Sequence, residues 1–257
     1  MRKLGLGLQM YTLRDETERD FEGTLRKVAA LGYEGVEFAG YGGKSAEEVR
    51  DLLQELNLKA IGAHVSLQAI RDNLQGEIAY LKTIGAKYFI CPWLPIEDYQ
   101  TPEAWKSLFT LFEDAGKACH NEGLVFGYHN HAFEFEQEVD GQFVFDALYS
   151  STSAEQVQVE MDTGWVQFAG QDTLAYIAKY AGRLPLVHLK DYRKGEQGEM
   201  ITVELGNGEL PLVDIISAAD KAGSEWIIVE QDNCQNPPLE SVETSMNWIK
   251  NNYLVLV

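Results

Sequence analysis

Short apolar runs alternate with amphipathic stretches along the whole chain. The runs fall at Leu4–Met10, Gly35–Phe38, Ala60–His64, Tyr88–Cys91, Leu124–His129, Val157–Met161, Pro185–Leu189 and Trp226–Glu230. Each has the length of a buried strand. Between them lie Phe21–Leu31, Ala46–Leu56, Asn73–Ile84, Pro102–Asn121, Phe143–Tyr149, Leu174–Tyr180, Leu212–Ala222 and Leu239–Asn251. Val49, Leu52, Leu53 and Leu56 recur at the spacing of one helix face, and Ser45 with Glu48 suits a capping box. Gly32 and Gly85 follow helical stretches where a left-handed cap is needed. Strict alternation predicts a parallel sheet, and eight repeats predict closure into a (β/α)₈ TIM barrel, an α/β fold forming a single domain over residues 1–257. An open doubly wound sheet is the alternative. Its nucleotide fingerprint is missing: the first turn reads Gln9-Met10-Tyr11-Thr12-Leu13-Arg14, and Gly5 and Gly7 lie inside the strand.

In a parallel barrel the chemistry gathers at the C-terminal strand ends. Buried strands should be apolar, yet here they end in Glu37, His64, His129, Asp162, His188 and Glu230, with Gln9 on the first strand. Three of the five histidines belong to this set, and a fourth, His131, follows directly on the fifth strand. A single such histidine is commonly a satisfied core residue; several meeting at one mouth point to a site. The last four strands run into His129-Asn130-His131-Ala132-Phe133-Glu134, Glu160-Met161-Asp162, His188-Leu189-Lys190-Asp191 and Glu230-Gln231-Asp232. Oxygen and nitrogen donors without thiolate suit one divalent ion, with Mn²⁺ favoured and Mg²⁺, Co²⁺ or Zn²⁺ open. Glu160 and Asp162 share a strand face; Asp162, at the exit, is the expected ligand, and Glu160 a supporting residue or an interior ion-pair partner.

The charge balance narrows the partners. Forty acidic against 21 basic residues leave a formal charge of −19, with no Lys/Arg cluster to neutralise phosphates. Nucleic acid and an anionic membrane surface are therefore not expected partners, whereas a small molecule is. Cys91, Cys119 and Cys234 are too few and too dispersed for a disulfide framework or a thiolate zinc site. The start, Met1-Arg2-Lys3 followed by Leu4–Leu13, superficially resembles a signal peptide. Gln9 interrupts it and Arg14-Asp15-Glu16 ends it, so it reads as a strand. No run approaches bilayer length, and a cytoplasmic location is expected. A homo-oligomer is left open.

Several motifs, in order, resemble the sugar phosphate isomerase/epimerase family with its xylose isomerase-like barrel. They are Gly7-Leu8-Gln9-Met10-Tyr11-Thr12-Leu13-Arg14-Asp15, Gly32-Tyr33-Glu34-Gly35-Val36-Glu37, Gly62-Ala63-His64 and Gly127-Tyr128-His129-Asn130-His131 through Glu134-Phe135. Met161-Asp162-Thr163-Gly164-Trp165, His188-Leu189-Lys190-Asp191 and Val229-Glu230 complete the series. The resemblance covers essentially the whole chain and implies a divalent metal held by Glu, Asp, His and Glu from strands five to eight. Asp162, His188 and Glu230 match three of these. Members with a Glu at the position of His129 use it as the first ligand; here Glu134 is expected to ligate, with His129 as the alternative ligand or a base. That departure sets the chain apart from ketose 3-epimerases, whose two metal-bound glutamates act as paired bases.

The resemblance implies removal of a proton alpha to a carbonyl, through an enediolate. His129, His131 or Glu230 is the expected base. Lys190 is expected to bind an oxyanion or protonate a leaving group, with a plain ion-pair role as its alternative. Gln9, Glu37, His64, Trp165 and Arg193 are candidates for holding substrate, and Trp93, Trp165 and Phe133 for apolar walls. Arg193 and Lys194 are the sole local cations in the loop that follows the seventh strand, so a phosphorylated substrate is no better supported than a free sugar. The leading expectation is a sugar or ketosugar isomerase/epimerase. The alternative is a dehydratase or lyase acting on a keto-inositol or 3-keto-glycoside, to which the His-Asn-His pattern is similar. An abasic-site nuclease and a non-catalytic sugar-binding barrel rank below both.

Overall fold

A computed structural model describes residues 3–257. Met1 and Arg2 of the leader-like start lie outside the described residues; the remainder of that start enters β1 (Gly5–Gln9). Next come β2 (Gly35–Phe38), β3 (Lys59–His64), β4 (Tyr88–Cys91) and β5 (Val125–His129). The short strands β6 (Glu138–Val139) and β7 (Gln142–Phe143) form a hairpin off the barrel. β8 (Gln158–Asp162) and β9 (Leu186–Leu189) return to it, β10 (Asp191–Lys194) and β11 (Met200–Val203) form a second hairpin, and β12 (Trp226–Val229) closes the circle. The closed order is β1-β12-β9-β8-β5-β4-β3-β2, and every barrel pair is parallel.

The expected eight-fold alternation is therefore the fold. Ser45 accepts from the Glu48 amide while the Glu48 carboxylate accepts from the Ser45 amide, completing the predicted capping box. Gly32 and Gly85 sit at φ 101° and 76°, where glycine alone is unstrained. The helix expected to begin at Asn73 instead begins at Leu67, capped by Ser66; Asn73 is a kink at φ −146°. Two short helices, Arg14–Arg19 and Thr163–Phe168, and both hairpins went unread because they are too brief to show a period. No helix among the described residues is long and apolar enough to cross a membrane.

Two cores hold the barrel. The larger lies between strands and helices; the smaller plugs the barrel floor with Ile61, Tyr88, Ile90, Leu186 and Ile228. The floor is tight. A Cβ on Gly7 would stand 2.5 Å from the Ile61 side chain, and one on Gly127 2.7 Å from that of Ile90. Glycine at these positions lets bulky neighbours fill the centre. Above this plug the inward positions turn polar, because alternate residues of a strand share a face and the next inward residues are Gln9, Glu37, His129, Glu160, Asp162, His188 and Glu230.

Candidate metal centre

The polar residues form two tiers. In the lower tier Gln9 Nε2 donates to Glu37 Oε2 at 2.8 Å, while the Gln9 carbonyl oxygen caps the turn at Tyr11. Glu37 Oε2 also meets His188 Nε2 at 2.7 Å and His64 Nε2 at 3.2 Å. Glu160 Oε2 lies 2.8 Å from His64 Nε2 and 3.2 Å from His129 Nδ1, and Glu160 Oε1 lies 3.4 Å from His188 Nε2. Gln9, Glu37 and Glu160 have no exposed surface.

The upper tier is built around Lys190. Its ammonium contacts Asp162 Oδ2 at 2.8 Å, Asp232 Oδ1 at 2.9 Å and Glu230 Oε2 at 3.1 Å, so its three donors meet three carboxylates. His188 Nδ1 reaches Glu230 Oε2 at 2.9 Å, and His129 Nε2 lies 3.8 Å from Asp162 Oδ2. Asp162 ends β8 and caps the helix Thr163–Phe168: its Oδ1 accepts from the Trp165 amide at 2.9 Å, leaving Oδ2 for the cluster. Asn130 pins the same peptide, accepting from the Asp162 amide and donating to its carbonyl. The next residue after Lys190, Asp191, accepts from the amides of Tyr192, Gly206, Gly208 and Leu210 and fixes the adjoining rim loop.

Burial would neutralise these groups singly, and the pairing decides which resist. Burial raises the Glu37 carboxyl, but His64 and His188 outweigh it and hold it well below the ordinary value. Burial lowers His64, yet Glu37 and Glu160 lift it to about 10; Glu160, Glu230 and Glu37 likewise lift His188. Burial also lowers Lys190, and Asp162, Asp232 and Glu230 reverse that, keeping it charged. Asp162 is raised by burial to about 6 despite Lys190, and Glu230 is lowered by Lys190 and His188 despite burial. His129 and His131 have no carboxylate strong enough to compensate. Burial pushes His129 well down, and burial with Lys190 takes His131 to about 3, so both imidazoles are neutral.

A metal takes deprotonated donors: His129 already is one, and His188 would give up the proton its carboxylate neighbours hold on it. One donor atom each from His129, Asp162, His188 and Glu230 lies within 4.8 Å of the others, a span that ligand bonds of about 2.0–2.2 Å nearly bridge. An overlapping set, His64, His129, Glu160 and His188, meets the same limit one tier down. Asp162 Oδ2 and His129 Nδ1 are buried with no aligned hydrogen bond, although Lys190 Nζ stands 2.8 Å from the first and Glu160 Oε2 3.2 Å from the second. The residues present fit a divalent ion. Glu37 would then take the other ring N–H of His188, as carboxylates behind ligand histidines do.

The sequence expectations sort accordingly. Asp162, His188 and Glu230 come together as expected, with His129. Glu134 does not join them: one oxygen accepts from Tyr128 Oη at 2.5 Å and the other from the His131 amide at 2.8 Å. It is five residues past the strand end, in a 3₁₀ turn, and burial pushes it up to about 8. Lys190 is sealed among carboxylates, the ion-pair alternative. Gln9 and Glu37 lie beneath the cluster; His64 lines the mouth. Arg193 is on the outer hairpin, exposed and bonded to the Asn207 carbonyl, away from the mouth. Trp165 packs 5.6 Å from the His131 ring, which stacks on Phe133.

A pocket of about 390 Å³ opens over the cluster, lined by Tyr11, Ala39, His64, Ser66, Pro92, Trp93, His129, His131, Glu230, Asp232 and Asn233. A larger hollow of about 540 Å³ on the flank is lined by Asp146, Lys179 and Tyr180, whose polar groups already satisfy one another. The sequence reading quoted Asp232 at the end of the last strand but gave it no role. Only its spacing of two from Glu230 signals it, beyond a strand that had already ended.

The profile of the xylose isomerase-like TIM barrel matches residues 25–252. The chain belongs to that family. Among its relatives, the inosose dehydratase of Mesomycoplasma hyopneumoniae (strain J) is 25% identical, over 96% of this chain and 95% of its own. That of Clostridium beijerinckii is 26% identical, over 91% and 90%. Family structures agree in shape: a sugar phosphate isomerase/epimerase from Parabacteroides distasonis superposes with TM-score 0.83 at 24% identity, covering 98% of this chain and all of the other. The zinc-bound IolI protein superposes at 0.78 with 15% identity, covering 96% and 97%.

Proposed function

We propose that this barrel is a divalent-metal-dependent enzyme that removes the proton beside a ketone in a sugar or cyclitol and then expels the oxygen substituent one carbon further on. The observation that carries it is the unlike pair at the mouth. His131 and Asp232 both line the pocket, and His131 Nδ1 and Asp232 Oδ2 are buried with no hydrogen-bond partner among the described residues. A metal bound by His129, Asp162, His188 and Glu230 would supply Lewis acidity at the ketone oxygen. His131, neutral and lining the pocket, takes the proton and, as imidazolium, gives it to the departing oxygen. Lys190 contacts Asp162, Glu230 and Asp232 and holds the three carboxylates in place. Inosose dehydratases among the relatives support elimination.

Isomerisation or epimerisation is the second reading. It draws on the same base, with the His131 imidazolium returning the proton it took to the neighbouring carbon instead of to a leaving oxygen. Incubation with scyllo-inosose and 3-keto-glucose in D₂O separates them. Elimination yields an ultraviolet-absorbing enone; isomerisation yields deuterium in an intact sugar. Neither signal with any added divalent ion would overturn both.

A further inference from the structure

Two of the four proposed ligands already hold a cation. The Lys190 ammonium stands 2.8 Å from Asp162 Oδ2 and 3.1 Å from Glu230 Oε2, and Asp232 Oδ1 takes its third hydrogen at 2.9 Å. The side chain is fully buried. Its neighbours make room for it: a Cβ on Gly164 would stand 2.7 Å from the Lys190 carbonyl oxygen and 3.2 Å from its Cβ and Cγ, and the Trp165 ring lies 5.5 Å from Nζ. A lysine at a strand exit ordinarily turns its charge to water. This one is seated inward, against atoms that a divalent ion needs.

The two cations compete for the same oxygens. A divalent ion bonds a carboxylate oxygen at about 2.0–2.2 Å, so an ion on Asp162 Oδ2 would come within about 5 Å of Nζ where it now stands. Buried like charges at that range repel with little water to screen them, and each weakens the hold on the other.

The lysine also has a place to go. Asp191 anchors the backbone beside it, but the four-carbon stem is flexible. Asp232 lies past the end of β12 on the pocket wall, with 25% of its side chain exposed. Its Oδ2 is buried with no hydrogen-bond partner among the described residues. An ammonium that released Asp162 and Glu230 would keep one oxygen of Asp232 and find a second on the same carboxylate.

We infer that Lys190 is a built-in stand-in for the metal: it closes the ligand cluster when no ion is bound and withdraws to Asp232 when one enters. Its charge lowers the affinity of the site, so the ion is held exchangeably and the loaded fraction follows the free divalent concentration. This rests on the metal-dependent reading above and adds a control to it.

The test uses no substrate. Mn²⁺ is titrated calorimetrically into chelator-stripped wild type and Lys190→Met. The variant should bind about 10- to 100-fold more tightly, within the usual range of coupling between two ligands. In parallel, wild-type protein is pulsed with acetic anhydride, with and without saturating Mn²⁺, and acetylation of Lys190 is read by peptide mass mapping. Mn²⁺ should raise it several-fold, a readout that stands even where Lys190→Met does not fold. Equal or weaker binding by Lys190→Met, or acetylation that Mn²⁺ leaves unchanged or lowers, would overturn the inference. Mn²⁺ binding by neither protein would remove the metal-dependent reaction with it. Tighter binding by the variant with no turnover in the D₂O assay would sink only the reaction.

Discussion

The floor and the mouth of the barrel are one strand repeat apart and obey opposite rules. At the floor Ile61, Tyr88, Ile90, Leu186 and Ile228 fill the centre. Two residues further along the same strands, Ile228 gives way to Glu230 and Leu186 to His188. The floor gains from excluding water. The mouth holds charges at a cost that only mutual pairing offsets. Stability and chemistry are thus separable along a single strand, and substitutions should show it.

The largest expected effect is on metal. Asp162→Asn and Glu230→Gln should each reduce divalent-ion content, measured by elemental analysis after loading, from about one equivalent to under a tenth, with circular dichroism unchanged; full occupancy in both variants would refute the ligand set. Lys190→Met comes next. It strands three carboxylates and should cost about 3–5 kcal/mol in metal-free protein, seen as a lower urea midpoint. Added divalent ion should recover much of that loss, since a cation again sits among them; no recovery would mean that lysine and metal do not share the cluster. Ile228→Ala should cost about 2–5 kcal/mol through the cavity it leaves, while metal content is retained. If Ile228→Ala also loses metal, floor and mouth are not independent.

The smallest effect concerns pH. Burial raises Glu134 from 4.5 to about 8, so ionising it is penalised only in the folded state. Its contribution is fully present below about 4.5 and is lost as pH rises through about 8. Glu134→Gln should therefore flatten the fall in stability over that window in chemical denaturation; an unchanged slope would show that the carboxyl does not titrate there.

Legibility in the sequence divides along the same contrast. The eight strands and their order were legible because buried runs and amphipathic helices repeat with a strong period. Asp162, His188 and Glu230 were legible because charge at the end of an apolar run is costly enough to need a reason. Glu134 misled because spacing along a loop says nothing about direction; its turn points the carboxylate back at Tyr128. Lys190 and Asp232 were visible as letters, but their mutual contact depends on how β9 and β12 pair, which no local pattern encodes. Glu37 lay at a strand end yet faces down into the histidines, a depth that only the register reveals.

Asp191, with four backbone amides on its carboxylate, bears on binding as well as on shape. The rim segment from Glu204 to Leu210 is held by a side chain that follows Lys190 directly, so the loop is anchored to the same strand exit as the cluster. A segment fixed in advance has little disorder left to surrender when a ligand arrives. None of residues 204–210 lines the pocket, so the saving falls on the strand exit itself: Lys190 leaves β9 beside a loop that is already closed by its neighbour's carboxylate.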